Sequence, residues 1–181
     1  KDRVPDTDAT VVTRLQDAGA IVIGKTNMPE FALDAESSNR VFGTTNNPWN
    51  PDRSAGGSSG GEGAAIASGM SPLGIGSDVG GSIRIPATFN GIVGLKATHG
   101  RIPLTGHWPD ILLASMHVGP MARSVRDIAL SLPILAGADS IDSYAAEVDP
   151  PGRIELDGPL VGLRVAWSPE AGSGPVDREV Q

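Results

Sequence analysis

Several residue types and patterns are missing from this chain of 181 residues, and each absence removes a class of protein. There is no cysteine, so disulfides, thiol nucleophiles and thiolate metal sites are excluded. No apolar run approaches the 18 residues that a membrane-spanning helix needs. Acidic residues outnumber basic ones by 21 to 14, and the net charge of −7 argues against a nucleic-acid-binding surface. We therefore expect neither a nucleic-acid partner nor a membrane span.

The short motifs of several enzyme classes are missing as well. The chain lacks the dinucleotide pattern GxGxxG. It has neither HExxH nor paired histidines, so the sequence predicts no metal site. The isolated histidines His99, His107 and His117 leave a Ser-His-Asp triad open, but a structural role is the commoner one for such residues.

The patterns that are present indicate a globular α/β domain, with 39% hydrophobic and 19% charged residues. Apolar residues recur at helical spacing over 8–18. The run 20–24 (AIVIG) is continuously apolar, which is typical of a strand buried on both faces. A helix followed by a buried strand, repeated along the chain, predicts a mixed β-sheet flanked by α-helices.

The remaining elements follow from the same rules. Helices are predicted at 29–33, 60–68, 82–89 and 124–136, strands at 73–76, 92–96 and 161–167, and loops at 37–54 and 139–158. Ser124 and Asp127 form a capping-box pattern, whereas Pro133 predicts a kink or an early end of the last helix.

A glycine-rich stretch from Ser54 to Ala87 dominates the chain and contains two serine sites, Ser58/Ser59 and Ser82, each preceded by Gly-Gly. Glycines allow close approach of a backbone, and next to serines they suit acyl transfer, which needs a nucleophile and backbone N–H donors. A flexible loop without chemistry is the alternative interpretation of this composition.

The run GGSSGGEGAAIASGMSPLGIGSDVGGSIRIPATFNGIVGLKATHGRIP resembles the signature of the amidase signature family of serine hydrolases. The flanking segments GAIVIGKTNMPEFA and VGPMARSVRDIALSLPILAG resemble the family too, so the similarity covers roughly 6–137. The resemblance implies an α/β fold with a mixed sheet, and a Ser–cis-Ser–Lys triad without a cofactor.

The resemblance also implies a role for individual residues. Ser82 takes the position of the nucleophile and Ser58, 24 positions earlier, that of the bridging serine. The peptide bond Gly57–Ser58 is expected to be cis. The implied oxyanion hole consists of the backbone N–H groups of Val79, Gly80, Gly81 and Ser82. Ser59 is expected to support the site by hydrogen bonding, and Asp78 and Arg84 are expected to hold the nucleophile loop.

The basic member of the triad is the point at which this sequence departs from the family pattern. The family's lysine lies well upstream of the serine pair, and Lys1 stands too close to Ser58 to match it. Lys25 and Lys96 occupy motif positions that are structural in the family. We therefore expect 1–181 to be the central part of one amidase signature domain, with the lysine region upstream and a C-terminal part downstream. The isolated chain is expected to be a poor catalyst.

The resemblance favours a free-standing amidase that cleaves a small amide through an acyl-enzyme. The alternative is the glutaminase component of an amidotransferase that acts on mischarged tRNA together with partner subunits. A degenerate family member that only binds is a third option. We expect a small-molecule amide substrate and a cytoplasmic location, and a homodimer remains open.

Overall fold

The computed structural model describes residues 4–166, in which helices and strands alternate. In chain order the elements are α1 (Thr10–Asp17), β1 (Ser38–Asn39), β2 (Gly43–Thr44), α2 (Gly60–Ala67), β3 (Leu73–Asp78), α3 (Arg84–Asn90), β4 (Val93–Gly94), β5 (His117–Ala122) and α4 (Val125–Leu135). This mixture of helices with small sheets confirms the predicted α/β class. Among residues 4–166, no helix is both long enough and apolar enough to cross a membrane.

The main sheet has the strand order β3–β5–β4, with both pairs antiparallel, and β1 and β2 form a separate hairpin. The register of the longer pair runs from Leu73 opposite Ala122 to Asp78 opposite His117. Since β3 ends at Asp78, the chain leaves the sheet there and enters the loop that carries Ser82.

Apolar side chains are buried on both sides of this sheet. Val118 of β5 belongs to one cluster, which also contains Val11 of α1 and Leu135 of α4. Met121, on the same strand, belongs to a second cluster with Ile66 of α2 and Ile83. Successive side chains of a strand point to opposite faces, so Val118 and Met121 anchor helices on opposite sides of β5.

The predicted helices are found with small shifts at their ends. Ser124 caps α4 as predicted, since Asp127 N–H donates to Ser124 Oγ at 3.2 Å; the Asp127 carboxylate accepts from the Ser124 hydroxyl at 2.7 Å and not, as in a full capping box, from the Ser124 N–H. The helix continues past Pro133 to Leu135. The predicted helix at 29–33 is a short 3-10 turn at Glu30–Ala32.

Two predicted strands are wrong, and the strands β1, β2 and β5 were not predicted. Residues 20–24 form no strand, and Ile21 and Ile23 are 87% and 71% exposed. An apolar run becomes a strand only where another strand pairs with it, and residues 4–166 provide none there. The prediction at 161–167 fails over 161–166 for the same reason, and Trp167 lies outside the described residues. Strand β5 was missed because its Gly-Pro pair is a turn signal in sequence.

Candidate active site

The fold brings the two predicted serines to one cleft. Ser58 lies two residues before the start of α2, and Ser82 lies in the loop between β3 and α3. Both line a cavity, here called the Ser82 cleft, together with Val79, Gly80 and apolar side chains. The Ser59 N–H donates to the Ser82 carbonyl at 3.2 Å, which ties the two segments together. Within residues 4–166 no hydrogen bond joins the Ser58 and Ser82 hydroxyls, although the bridging role that the resemblance implies for Ser58 requires them to come within reach of each other.

The segment around Ser58 is held from two sides. Ser37, which is buried, donates its hydroxyl to the Ser58 carbonyl at 2.9 Å and accepts from the Gly60 N–H at 2.8 Å. Gly57 packs on the backbone of 34–36, and a Cβ there would lie 2.6 Å from the Ala35 carbonyl carbon. The peptide bond Gly57–Ser58 is cis, as the resemblance implies. Ser58 is 1% exposed, so these contacts present a buried serine to the cleft.

Ser59 has a supporting position next to the cleft. Its hydroxyl accepts from the Ser77 N–H at 3.3 Å and lies 3.4 Å from the Ser77 carbonyl oxygen. Ser77 precedes Asp78 in β3, so Ser59 links the start of α2 to the end of the strand that leads to Ser82.

Asp78 organises the loop that carries Ser82. Its carboxylate is fully buried and accepts hydrogen bonds from the N–H groups of Gly81 (2.8 Å) and Ile83 (3.1 Å) and from the Arg84 guanidinium. Burial alone raises the pKa of Asp78, but the hydrogen bonds from Arg84, Ile83 and Gly81 outweigh it and lower the pKa to about 2. The loop is thus wrapped around an ionised carboxylate.

Three of the four predicted oxyanion-hole donors are available. Within residues 4–166 no hydrogen bond engages the N–H groups of Val79, Gly80 or Ser82, and all three residues line the Ser82 cleft. The Gly81 N–H instead donates to Asp78, and Gly81 does not line the cleft. The expectation for Gly81 therefore needs correction, because its N–H is already used to shape the loop.

The walls of the cleft are largely apolar and include backbone in an uncommon conformation. The apolar side chains are those of Phe31, Leu33, Ile85, Ile111, Leu112 and Met116. Among the described residues, the non-glycine residues with positive φ are Phe31 (56°), Ala32 (59°) and Leu112 (57°), and all three line this cleft. Such conformations concentrate at functional sites, where the surroundings enforce them.

A second cavity is also lined by Ser58. This Glu62 cavity is lined by Thr26, Ser58, Ser59, Glu62 and His107, among others, but not by Ser82. Burial raises the pKa of Glu62, although a hydrogen bond from the Thr26 hydroxyl at 2.9 Å opposes this. Burial also lowers the pKa of His107, which disfavours the charged form of its imidazole. Ser58 therefore borders a cavity with polar lining groups as well as the largely apolar Ser82 cleft.

The lysines of the described chain lie away from the serine pair. Lys25 is exposed, Lys96 donates to the Ala97 carbonyl at 3.0 Å, and neither lines the Ser82 cleft or the Glu62 cavity. Lys1 lies outside the described residues. Among the histidines, His107 lines both cavities, whereas His99 and His117 pack against each other with their ring centroids 5.2 Å apart.

Sequence reasoning missed Ser37 and the 31–32 segment. Ser37 has no motif of its own, and its role becomes visible only when the chain folds it onto Ser58 and Gly60. Phe31 and Ala32 lie in an ordinary-looking Pro-Glu-Phe-Ala run, and a positive φ at such residues has no signal in sequence.

Known proteins share this arrangement of sequence and fold. The profile of the family described as Amidase matches residues 1–181. A glutamyl-tRNA(Gln) amidotransferase subunit of Thermus thermophilus is 46% identical over 173 residues, which cover 94% of this chain and 36% of that protein. The solved structure of 6-aminohexanoate cyclic dimer hydrolase with substrate matches with a TM-score of 0.76 at 44% identity, over 80% of this chain and 30% of that one. A bacterial aryl acylamidase matches with a TM-score of 0.73 at 36% identity, over 80% and 30% of the two chains.

The chain spans about a third of the length of the curated relatives that it matches. The family profile matches the whole length of this chain. The similarity of the chain to two amide hydrolases and to an amidotransferase component is far above that of unrelated proteins. This chain belongs to the amidase signature family, whose members act on amides.

Proposed function

We propose that the protein containing this chain hydrolyses a carboxylic acid amide through an acyl-enzyme on Ser82. The observation that carries the proposal is the joint lining of one cleft by Ser82, by Ser58 and by the unbonded N–H groups of Val79 and Gly80. A nucleophile with backbone donors beside it is what acyl transfer requires.

The proposed reaction has two halves. Ser82 Oγ bonds to the amide carbonyl carbon as its proton passes to Ser58, and the carbonyl oxygen becomes an oxyanion held by the N–H groups of Val79, Gly80 and Ser82. The carbon–nitrogen bond then breaks, the leaving nitrogen takes a proton through Ser58, and an ester to Ser82 remains. Water attacks this ester, which releases the acid and restores the Ser82 hydroxyl.

Both halves need a base that removes the proton from Ser58, because a serine hydroxyl is a weak nucleophile by itself. We propose that a neutral lysine upstream of this chain supplies it, and that 1–181 is the central part of a longer catalytic domain. The Glu62 cavity supports this placement, since it is lined by Ser58 but not by Ser82.

Two kinds of substrate are supported by different observations. The curated relatives are named as glutamyl-tRNA(Gln) amidotransferase subunits, which favours the side-chain amide of glutamine and a protein that works with partners. These names support that alternative better than the free-standing amidase. The apolar cleft walls and the 44% identity to 6-aminohexanoate cyclic dimer hydrolase favour a free-standing amidase as the second candidate.

Two activity assays on the full-length protein separate these candidates, namely ammonia release from glutamine and aniline release from an anilide. Glutaminase activity that rises on co-purification with the host's other amidotransferase subunits supports the first. Cleavage of a neutral anilide by the protein alone, measured by aniline release, supports the second. If wild type releases no more product than Ser82→Ala from either substrate, with and without partners, both candidates are wrong.

A further inference from the structure

The ring of His117 hydrogen bonds to the backbone immediately before the proposed oxyanion hole. Its Nδ1 lies 3.0 Å from the carbonyl oxygen of Asp78, which is the residue opposite His117 in the sheet. A carbonyl oxygen only accepts hydrogen bonds, so Nδ1 carries the hydrogen and donates it. His117 is thereby attached to the last residue of β3.

The Asp78 carbonyl and the Val79 N–H are parts of one planar peptide unit. Within residues 4–166 the cis bonds are Gly57–Ser58 and Trp108–Pro109, so the Asp78–Val79 bond is trans. In a trans peptide the C=O and the N–H point in opposite directions. A hydrogen bond that fixes the direction of the Asp78 carbonyl therefore fixes the direction of the Val79 N–H.

Val79 needs such a constraint because the sheet no longer holds it. Strand β3 ends at Asp78, Val79 is 37% exposed, and no hydrogen bond within the described part of the chain engages its N–H. The Asp78 side chain binds Gly81, Ile83 and Arg84, further along the loop. The His117 contact is the side-chain hydrogen bond to the peptide that contains the Val79 N–H.

We propose that His117 is a positioning residue, which orients the Asp78–Val79 peptide so that the Val79 N–H is aimed at the oxyanion in the Ser82 cleft. The proposal rests on the function proposed above. The hydrogen bond also polarises the peptide, which makes the Val79 N–H a better donor. His117 does not line the cleft and acts on the substrate only through this peptide.

The neighbours of His117 hold its ring in place. The His99 ring packs edge-on against it, with an interplanar angle of 76°, and the Tyr144 ring packs in the same way against His99 at 5.7 Å. Within the described chain His99 makes no hydrogen bond to Asp78, so it offers a matched control. His99→Phe keeps the packing and leaves the His117 contact intact.

The test uses the full-length protein and two readouts. One is the second-order rate of Ser82 labelling by an alkyl fluorophosphonate, in which Ser82 Oγ bonds to phosphorus and fluoride leaves. The other is the split between kcat and KM on an amide that the wild type cleaves. In His117→Leu the new side chain fills the space but cannot donate a hydrogen bond to the Asp78 carbonyl. In His117→Asn the side-chain amide N–H takes the place of the Nδ1–H donor.

We expect His117→Leu to lower both the labelling rate and kcat by about tenfold with KM unchanged, since loss of a whole oxyanion donor costs about a hundredfold or more. We expect the labelling rate and kcat of His117→Asn to lie within about threefold of the wild-type values. We expect His99→Phe to have the wild-type labelling rate and kcat. If the wild type is labelled at Ser82 and His117→Leu is labelled at the same rate, the positioning role is wrong, whereas the proposed function stands. An inactive His117→Asn that melts like wild type also overturns it. A wild type that is not labelled at Ser82 overturns the proposed function, and this inference with it.

Discussion

Arg84 forms a two-bond ion pair with Asp78 at the base of the Ser82 loop, with Nε 3.0 Å from Oδ2 and Nη2 2.9 Å from Oδ1. The carboxylate is completely buried, whereas the arginine side chain is 53% exposed. The same carboxylate binds the N–H groups of Gly81 and Ile83, on either side of Ser82. The position of Ser82 therefore depends on one buried charge.

Replacement of Asp78 by asparagine tests this dependence. The Asp78→Asn amide brings an NH₂ group into a pocket of N–H donors, so at least one donor loses its acceptor. We expect the free energy of unfolding of the full-length protein to fall by about 2 kcal/mol, and Ser82 labelling to slow. Urea denaturation measures the first effect. The exposed Asp52 serves as control, and an equal loss in Asp52→Asn would contradict the assigned role of Asp78.

Acid sensitivity follows from the same carboxylate. The pKa of Asp78 is about 2 in the folded protein, below its ordinary value of 3.8, so its ionisation stabilises the fold above about pH 4. This contribution is lost as the pH falls from about 4 towards 2. We expect wild type to lose stability over this range more steeply than Asp78→Asn, in thermal melts recorded at successive pH values. Parallel curves for the two proteins would refute the assignment.

Gly61 in α2 permits a close contact with the segment that leads to the cleft. A Cβ at this position would lie 2.4 Å from the carbonyl oxygen and 2.5 Å from the nitrogen of Asn27. Helix propensity alone predicts that Gly61→Ala stabilises the protein by up to about 1 kcal/mol. The backbone contact reverses the sign, and we expect a loss of about 1–3 kcal/mol in chemical denaturation. Gly158→Ala, which has open space around it, is expected to be neutral.

Ser58 is predicted to act in proton transfer and not in substrate binding. Ser58→Ala is expected to lower kcat by about 10²–10⁴-fold, the range for removal of a general acid–base group, with little change in KM or in melting temperature. Steady-state kinetics of the full-length protein measure this. Ser68→Ala is the matched control, because the Ser68 hydroxyl donates to the carbonyls of Ala64 and Ala65 in its own helix. A Ser58→Ala enzyme with wild-type kcat would remove Ser58 from the mechanism.

Local rules predicted the elements whose determinants are local. The Ser124 cap and the apolar spacing that follows it define α4, and the glycine and alanine run predicts α2. The strand predicted at 20–24 fails because pairing is a property of two segments, and residues 4–166 contain no partner for it.

The site itself was predictable only in part. Ser58, Ser82 and the cis bond at Gly57–Ser58 follow from the resemblance to the family. The use of the Gly81 N–H by Asp78 and the clamp by Ser37 depend on side chains that meet only in the fold. His117 had no motif either, since its partner is a backbone carbonyl on the neighbouring strand.

The central claim is that Ser82 is the acylated nucleophile, and the most direct test is the site of covalent modification. The full-length protein is treated with an alkyl fluorophosphonate, digested and examined by peptide mass spectrometry, with Ser82→Ala and Ser59→Ala in parallel. We predict one adduct on the peptide that contains Ser82, retained in Ser59→Ala and lost in Ser82→Ala. An adduct on another serine, or no adduct on a folded wild type, would contradict the account.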